Sequence, residues 1–101
     1  MEKEFIEKVT ERITLNLFRV GCDKDNFRIL QAIPNDVKTL MKEFNLTKMP
    51  MNKRINELEK VGLLKRERWK GSVEPTELTT KFLDLIKDIK EKIKEELPNL
   101  I

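Results

Sequence analysis

From residue 3 to residue 20 the apolar side chains Phe5, Ile6, Val9, Ile13, Leu17 and Val20 recur at steps of three and four. That spacing keeps one face of a helix apolar and predicts a helix that ends at Gly21. Asp23 is placed to cap a second helix through "DNFRILQAI", with Phe27, Leu30 and Ile33 on one face, and Pro34 stops it. Asn35 or Asp36 then caps "VKTLMKEF", where Val37, Leu40, Met41 and Phe44 point inward. "NLT" reads as a short turn, and Thr47 as the cap of a fourth helix with Met51, Ile55 and Leu58 inward. Gly62 predicts the end of that helix. "LLKRERW" and "VEPTEL" read as two strands around the tight turn "KGS". Pro75 cannot donate to a ladder, so the second strand is expected at a sheet edge. Thr79 or Thr80 should start a closing helix that runs to about Glu96, with Pro98 as its stop.

The fourth helix has an unusual outer face. Pro50 falls in its first turn, where backbone N–H groups have no intrahelical partner to lose, so the proline fits there and stiffens the start. At about 100° per residue, Met49, Lys53, Asn56 and Lys60 line up opposite the apolar stripe, flanked by Asn52 and Arg54.

Charge sharpens this picture. Residues 1–47 hold eight basic and eight acidic groups. Residues 48–72 hold eight basic against three acidic, and residues 73–101 five against seven. The central quarter therefore carries a net +5 inside a chain of +3, as expected of a surface that faces phosphates.

Composition removes several chemistries. There is no histidine and one cysteine, Cys22, so neither a Cys/His metal site nor a Ser-His or Cys-His nucleophile pair can be built. No glycine-rich phosphate loop occurs, and the 18 acidic residues are dispersed along helix faces. The expectation is a non-enzyme without metal or cofactor. Cys22 is expected as a small buried or half-buried residue at a helix junction. No apolar run approaches the roughly 18 residues of a membrane helix, and the opening "MEKEFIEKVTERI" has no apolar signal core. Together with the single cysteine, this predicts a cytoplasmic protein.

The stretches "NLTKMPMNKRINELEKVGLLKR" and "SVEPTELT" resemble the winged helix-turn-helix transcription regulators of the broad MarR/ArsR-like group. The shared pattern is a turn, a capping Ser/Thr, a recognition helix, "L-E-K-x-G-L", a basic hairpin and a closing "L-T". It covers residues 24 to about 86. The resemblance implies a mainly α fold with a small β-hairpin, organised as one winged helix-turn-helix domain over residues 1–101 with flanking terminal helices. The helix-turn-helix would span about 35–61, the wing about 63–78 and a C-terminal dimerisation helix about 79–97. The metal-binding cysteines and histidines of many ArsR-type sensors are missing, so metal sensing is not implied.

On this reading the expected partner is double-stranded DNA. Thr47, Lys48, Met49, Asn52, Lys53, Arg54, Asn56 and Lys60 would contact it from the recognition helix. Asparagine can pair with the edge of adenine, lysine with guanine, and an exposed apolar side chain can touch a thymine methyl. Arg66, Arg68, Lys70 and Ser72 on the wing would meet the backbone. Trp69 would either stack on a sugar-phosphate edge or pack the hairpin onto the helices.

The closing helix adds a seam of Phe82, Ile86, Ile89, Ile93 and Leu97, and the first helix a stripe of Phe5, Val9, Ile13 and Leu17. Together these exceed the obvious needs of a core this small, and the resemblance, in whose family such flanking helices pair across a two-fold axis, implies a homodimer. No small-molecule effector is assigned. The reading is a homodimeric, sequence-specific DNA-binding regulator of transcription. Its rival is a winged-helix module for protein contact within a transcription assembly.

Overall fold

The computed structural model describes residues 2–100, the side chain of Leu100 excepted. They form five helices and a small antiparallel sheet. The order is α1 (Glu2–Gly21), α2 (Lys24–Ala32), β1 (Asn35–Asp36), α3 (Val37–Glu43), α4 (Lys48–Lys60), β2 (Lys65–Glu67), β3 (Ser72–Glu74) and α5 (Glu77–Leu100). The chain is thus mainly α with a small β element, as its periodicity predicts.

The core is assembled from the inward stripes. Ile29 and Leu30 of α2, Leu40 of α3, and Met51, Ile55 and Leu58 of α4 are buried together with Leu63, Leu64 and Val73. Phe82 of α5 reaches into the same core, its ring edge-on to Phe18 at 5.3 Å and to Phe27 at 6.2 Å between centroids. A Cβ at Gly21 would stand 2.8 Å from both Leu63 and Phe82. Gly21 is therefore needed for close packing where α1 meets α5, beyond closing its helix.

Helix ends follow local chemistry. The Asp23 carboxylate accepts from the backbone N–H of Asp25 and Asn26, both at 3.1 Å, and Asp36 accepts from Thr39 N–H at 2.7 Å. At the end of α4, Gly62 takes φ +84°. There Leu63 N–H reaches Leu58 O and Gly62 N–H reaches Glu59 O, both at 3.0 Å. This is a Schellman closure, which an L side chain would strain. Asn45 (φ 52°) closes α3 in the same way.

Several expectations are corrected. The sheet order is β1-β3-β2, so the strand before Pro75 is central, not an edge; the proline lies just past its paired residues. β1 was not expected, being only two residues that pair with Ser72 and Val73. The ladder between β2 and β3 is shorter than the two predicted strands, and the turn occupies residues 68–71. α5 begins before Thr79. Thr76 Oγ1 accepts from Thr79 N–H at 3.3 Å, and Thr79 Oγ1 accepts from Thr76 N–H at 2.8 Å, a reciprocal cap. Thr79 is buried, and its hydroxyl is satisfied there by donating to Leu63 O.

Pro98 does not stop α5. It lies in the last, exposed turn, where the carbonyl it leaves unpaired can be hydrated. Cys22 is exposed rather than buried.

Candidate nucleic-acid interface

α4 presents its two faces as its sequence predicts. Met51, Ile55 and Leu58 are fully buried, while Met49 is 83% exposed, and Lys48, Lys53, Asn56 and Lys60 are exposed beside it. Thr47 occupies the cap position, and its carbonyl accepts from Met51 N–H at 3.1 Å. Its hydroxyl makes no capping hydrogen bond; the exposed side chain is left available to a partner.

The hairpin stands next to this face. Gly71 (φ 64°) supports its turn, and the Gly71 carbonyl accepts from Val37 N–H at 2.9 Å, tying the turn to α3. Arg68, Trp69 and Lys70 are exposed at the tip, with Trp69 fully so. Trp69 therefore does not pack the hairpin onto the helices. A cleft between α3, α4 and the hairpin has Lys38, Lys48, Asn52 and Lys70 on its walls, with Asp36 as its one acidic side chain. Lys38 is a cation that sequence reasoning missed. No local signal distinguishes it from Lys42, and only the fold brings it beside Lys48 and Lys70.

Three residues named from sequence sit differently. The Arg54 guanidinium points inward, 2.8 Å from Asp23 Oδ1 and 3.2 Å from Asp25 Oδ2, and it donates to Asn26 Oδ1 at 3.1 Å. Asn26 is itself buried and donates to Val20 O at 3.0 Å, so Arg54 links α4 to the junction of α1 and α2. The Asn26 N–H hydrogen bond, with the Arg54 charge adding, holds the Asp23 carboxyl below its ordinary value despite partial desolvation. Ser72 turns its hydroxyl into the protein, where it finds no partner among the described residues.

Arg66 lies across α4. Its terminal nitrogen donates to Asn56 Oδ1 at 2.9 Å and Asn52 Oδ1 at 3.2 Å, and Nε is 3.9 Å from Glu59 Oε1. Six of the eight central cations remain exposed: Lys48, Lys53, Lys60, Lys65, Arg68 and Lys70. Lys48, Lys53 and Lys60 lie on α4 itself and Arg68 and Lys70 at the hairpin tip, without a cluster of metal-ligating side chains among the described residues.

Of the residues expected to form a dimer, Leu17 and Phe82 are buried in the chain's own core, and Ile86 packs partly against it. Leu17 and Phe82 are thus core residues, whereas Ile86 stays half-buried at the edge of the core. Phe5, Ile13, Ile89, Ile93 and Leu97 are exposed, and Val9 is half-buried. Among the described residues no helix is long and apolar enough to cross a membrane.

No family model matches this chain, and neither a curated protein nor a solved structure matches it.

Proposed function

We propose that this protein is a homodimeric winged helix-turn-helix regulator that binds double-stranded DNA, with α4 in the major groove and the β2–β3 hairpin on the backbone. The observation that carries this reading is the outer face of α4. Met49, Lys53, Asn56 and Lys60 stand in one row on a helix anchored by three fully buried residues, and the cationic hairpin rises beside it.

A helix so anchored offers a rigid, convex, donor-rich edge of the kind the major groove admits. The lysines Lys38, Lys48 and Lys70 around the adjoining cleft supply the sequence-independent attraction to phosphate. The exposed apolar side chains of α1 and α5 form the two-fold contact, which would set half-sites about one helical turn, or a multiple, apart.

The test is a titration of variants on duplexes selected from a random pool and on scrambled duplexes, beside a thermal melt. Lys53→Ala and Asn56→Ala should each cost roughly 1–3 kcal/mol on the selected site, much less on scrambled duplex, and little in folding. Ile55→Ala, at a site with no exposure, should instead cost roughly 2–5 kcal/mol of stability through the cavity it leaves. Equal losses on both duplexes would reduce Lys53 and Asn56 to backbone contacts. No loss on either would overturn groove binding and favour a protein-contact module.

A further inference from the structure

We infer that Arg66 is a positioning residue that turns Asn52 and Asn56 into hydrogen-bond donors, so that α4 selects guanine rather than adenine beneath them. The inference rests on the groove-binding reading above and specifies the base it prefers.

The argument begins with what each group can do. A guanidinium has only donors, whereas an asparagine amide has a carbonyl oxygen that accepts and an NH2 that donates. Arg66 reaches both Asn52 and Asn56 with one terminal nitrogen, at 3.2 and 2.9 Å. Only the amide oxygens can face that nitrogen, so hydrogen-bond chemistry itself fixes the orientation of both amides. The two asparagines are four residues apart and share one side of α4, and a single cation locks both.

Arg66 is held in turn. It is half-buried on β2, pairs through its backbone with Val73, and has Glu59 3.9 Å from Nε. The Glu59 carboxylate favours keeping the cation at this place. Asn56 is exposed, so its NH2 group is the part left to meet a partner.

The consequence concerns base edges. To hold adenine in two places, asparagine must accept from N6–H and donate to N7; guanine offers two acceptors, N7 and O6, and asks only for donors. Each amide oxygen keeps a second lone pair, but the guanidinium charge lies behind it and opposes an incoming N–H dipole. Lys53 and Lys60 add further donors on the same exposed row. This edge of α4 therefore matches an acceptor-rich stretch of the groove.

The experiment is selection from a random duplex pool with the full chain, repeated for Asn56→Ala and Arg66→Met. The base pair whose preference relaxes in Asn56→Ala marks the Asn56 contact. At that position the unaltered protein should select guanine. Replacing this guanine with 7-deazaguanine, which lacks the N7 acceptor, should weaken binding by about 5- to 150-fold, the range of one base contact. In Arg66→Met the freed amide should move the preference towards adenine, a change that a merely structural role for Arg66 would not produce. Adenine at that position in the unaltered protein, or guanine kept unchanged in a folded Arg66→Met, overturns the inference while leaving DNA binding intact. If Arg66→Met fails to fold, the 7-deazaguanine result decides: undiminished binding overturns the inference. Absence of any preferred duplex overturns both this inference and the reading beneath it, and is distinguishable from the other outcomes.

Discussion

Arg54 on α4 and Asp23 at the start of α2 lie 31 residues apart in sequence and 2.8 Å apart in space. The carboxylate caps α2 with one oxygen and receives the guanidinium on the same oxygen. Helix α4 is thereby tied to the junction of α1 and α2, and the Arg54 guanidinium is turned away from the outward row.

Arg54→Met should consequently act on stability rather than on base choice. It leaves the buried Asn26 oxygen without its 3.1 Å donor and the two aspartates without a counter-charge. Charged hydrogen bonds of this kind are worth roughly 1.5–3 kcal/mol, and solvent access at Arg54 places the expected loss toward the low end. Chemical denaturation measures the loss. The ranking of selected duplexes by affinity should be preserved, and a reordered ranking would return Arg54 to the groove.

Acid should weaken the fold through the same carboxylate. Asp23 and Asp36 are both held below the ordinary value of 3.8, chiefly by backbone N–H groups at helix starts. A carboxyl group whose folded pKa is depressed binds its proton more weakly in the folded chain. Its stabilisation is complete above the unfolded value and is lost as the pH falls through the folded one. Melting temperature should be level near neutral pH and decline below 3.8. Asp23→Asn, which can still cap, should be less stable at neutral pH and show a shallower acid decline. Parallel melts across the acid range provide the comparison.

The hairpin tip should govern salt dependence without governing sequence choice. Arg68 and Lys70 are exposed and make no ion pair among the described residues. Replacing both with alanine should weaken binding to all duplexes alike and flatten the log–log salt slope by up to about one per lost phosphate contact. Titration across a salt series reads this directly, and an unchanged slope would show that the hairpin stays off the backbone.

Association can be separated from folding because much of the seam on α5 is not used by the chain itself. Ile89, Ile93 and Leu97 are each about half exposed, against 4% for Phe82. Sedimentation at micromolar concentration should give twice the chain mass, and Ile89→Asp with Ile93→Asp should return the mass to that of one chain. The double variant should retain its helical signal and cooperative melt, since neither side chain belongs to the buried core. An unaltered protein that sediments as one chain would remove the two-fold arrangement and its half-site spacing.

The succession of helices, the inward stripe of α4 and the basic turn beyond it can be read from local pattern alone. Periodicity, caps and closing residues act between neighbours three or four positions apart, so Met51, Ile55 and Leu58, the Asp23 cap and the Gly62 closure were legible locally. What lay beyond its reach were choices made among equivalent local options. Local chemistry points to Thr79 or Thr80 as the start of the last helix, and only docking against the Gly62 and Leu63 carbonyls makes Thr76 the cap. Asn35 and Asp36 form a strand only because Ser72 and Val73 come alongside. The cations show the same division: composition counts eight in the central segment, while tertiary structure binds Arg54 to the aspartates of α2 and lays Arg66 over the asparagines of α4. A long flexible charged side chain carries little directional information along the chain. Its partner is set by which groups folding brings within a few ångströms, where charge and hydrogen-bond geometry act through space.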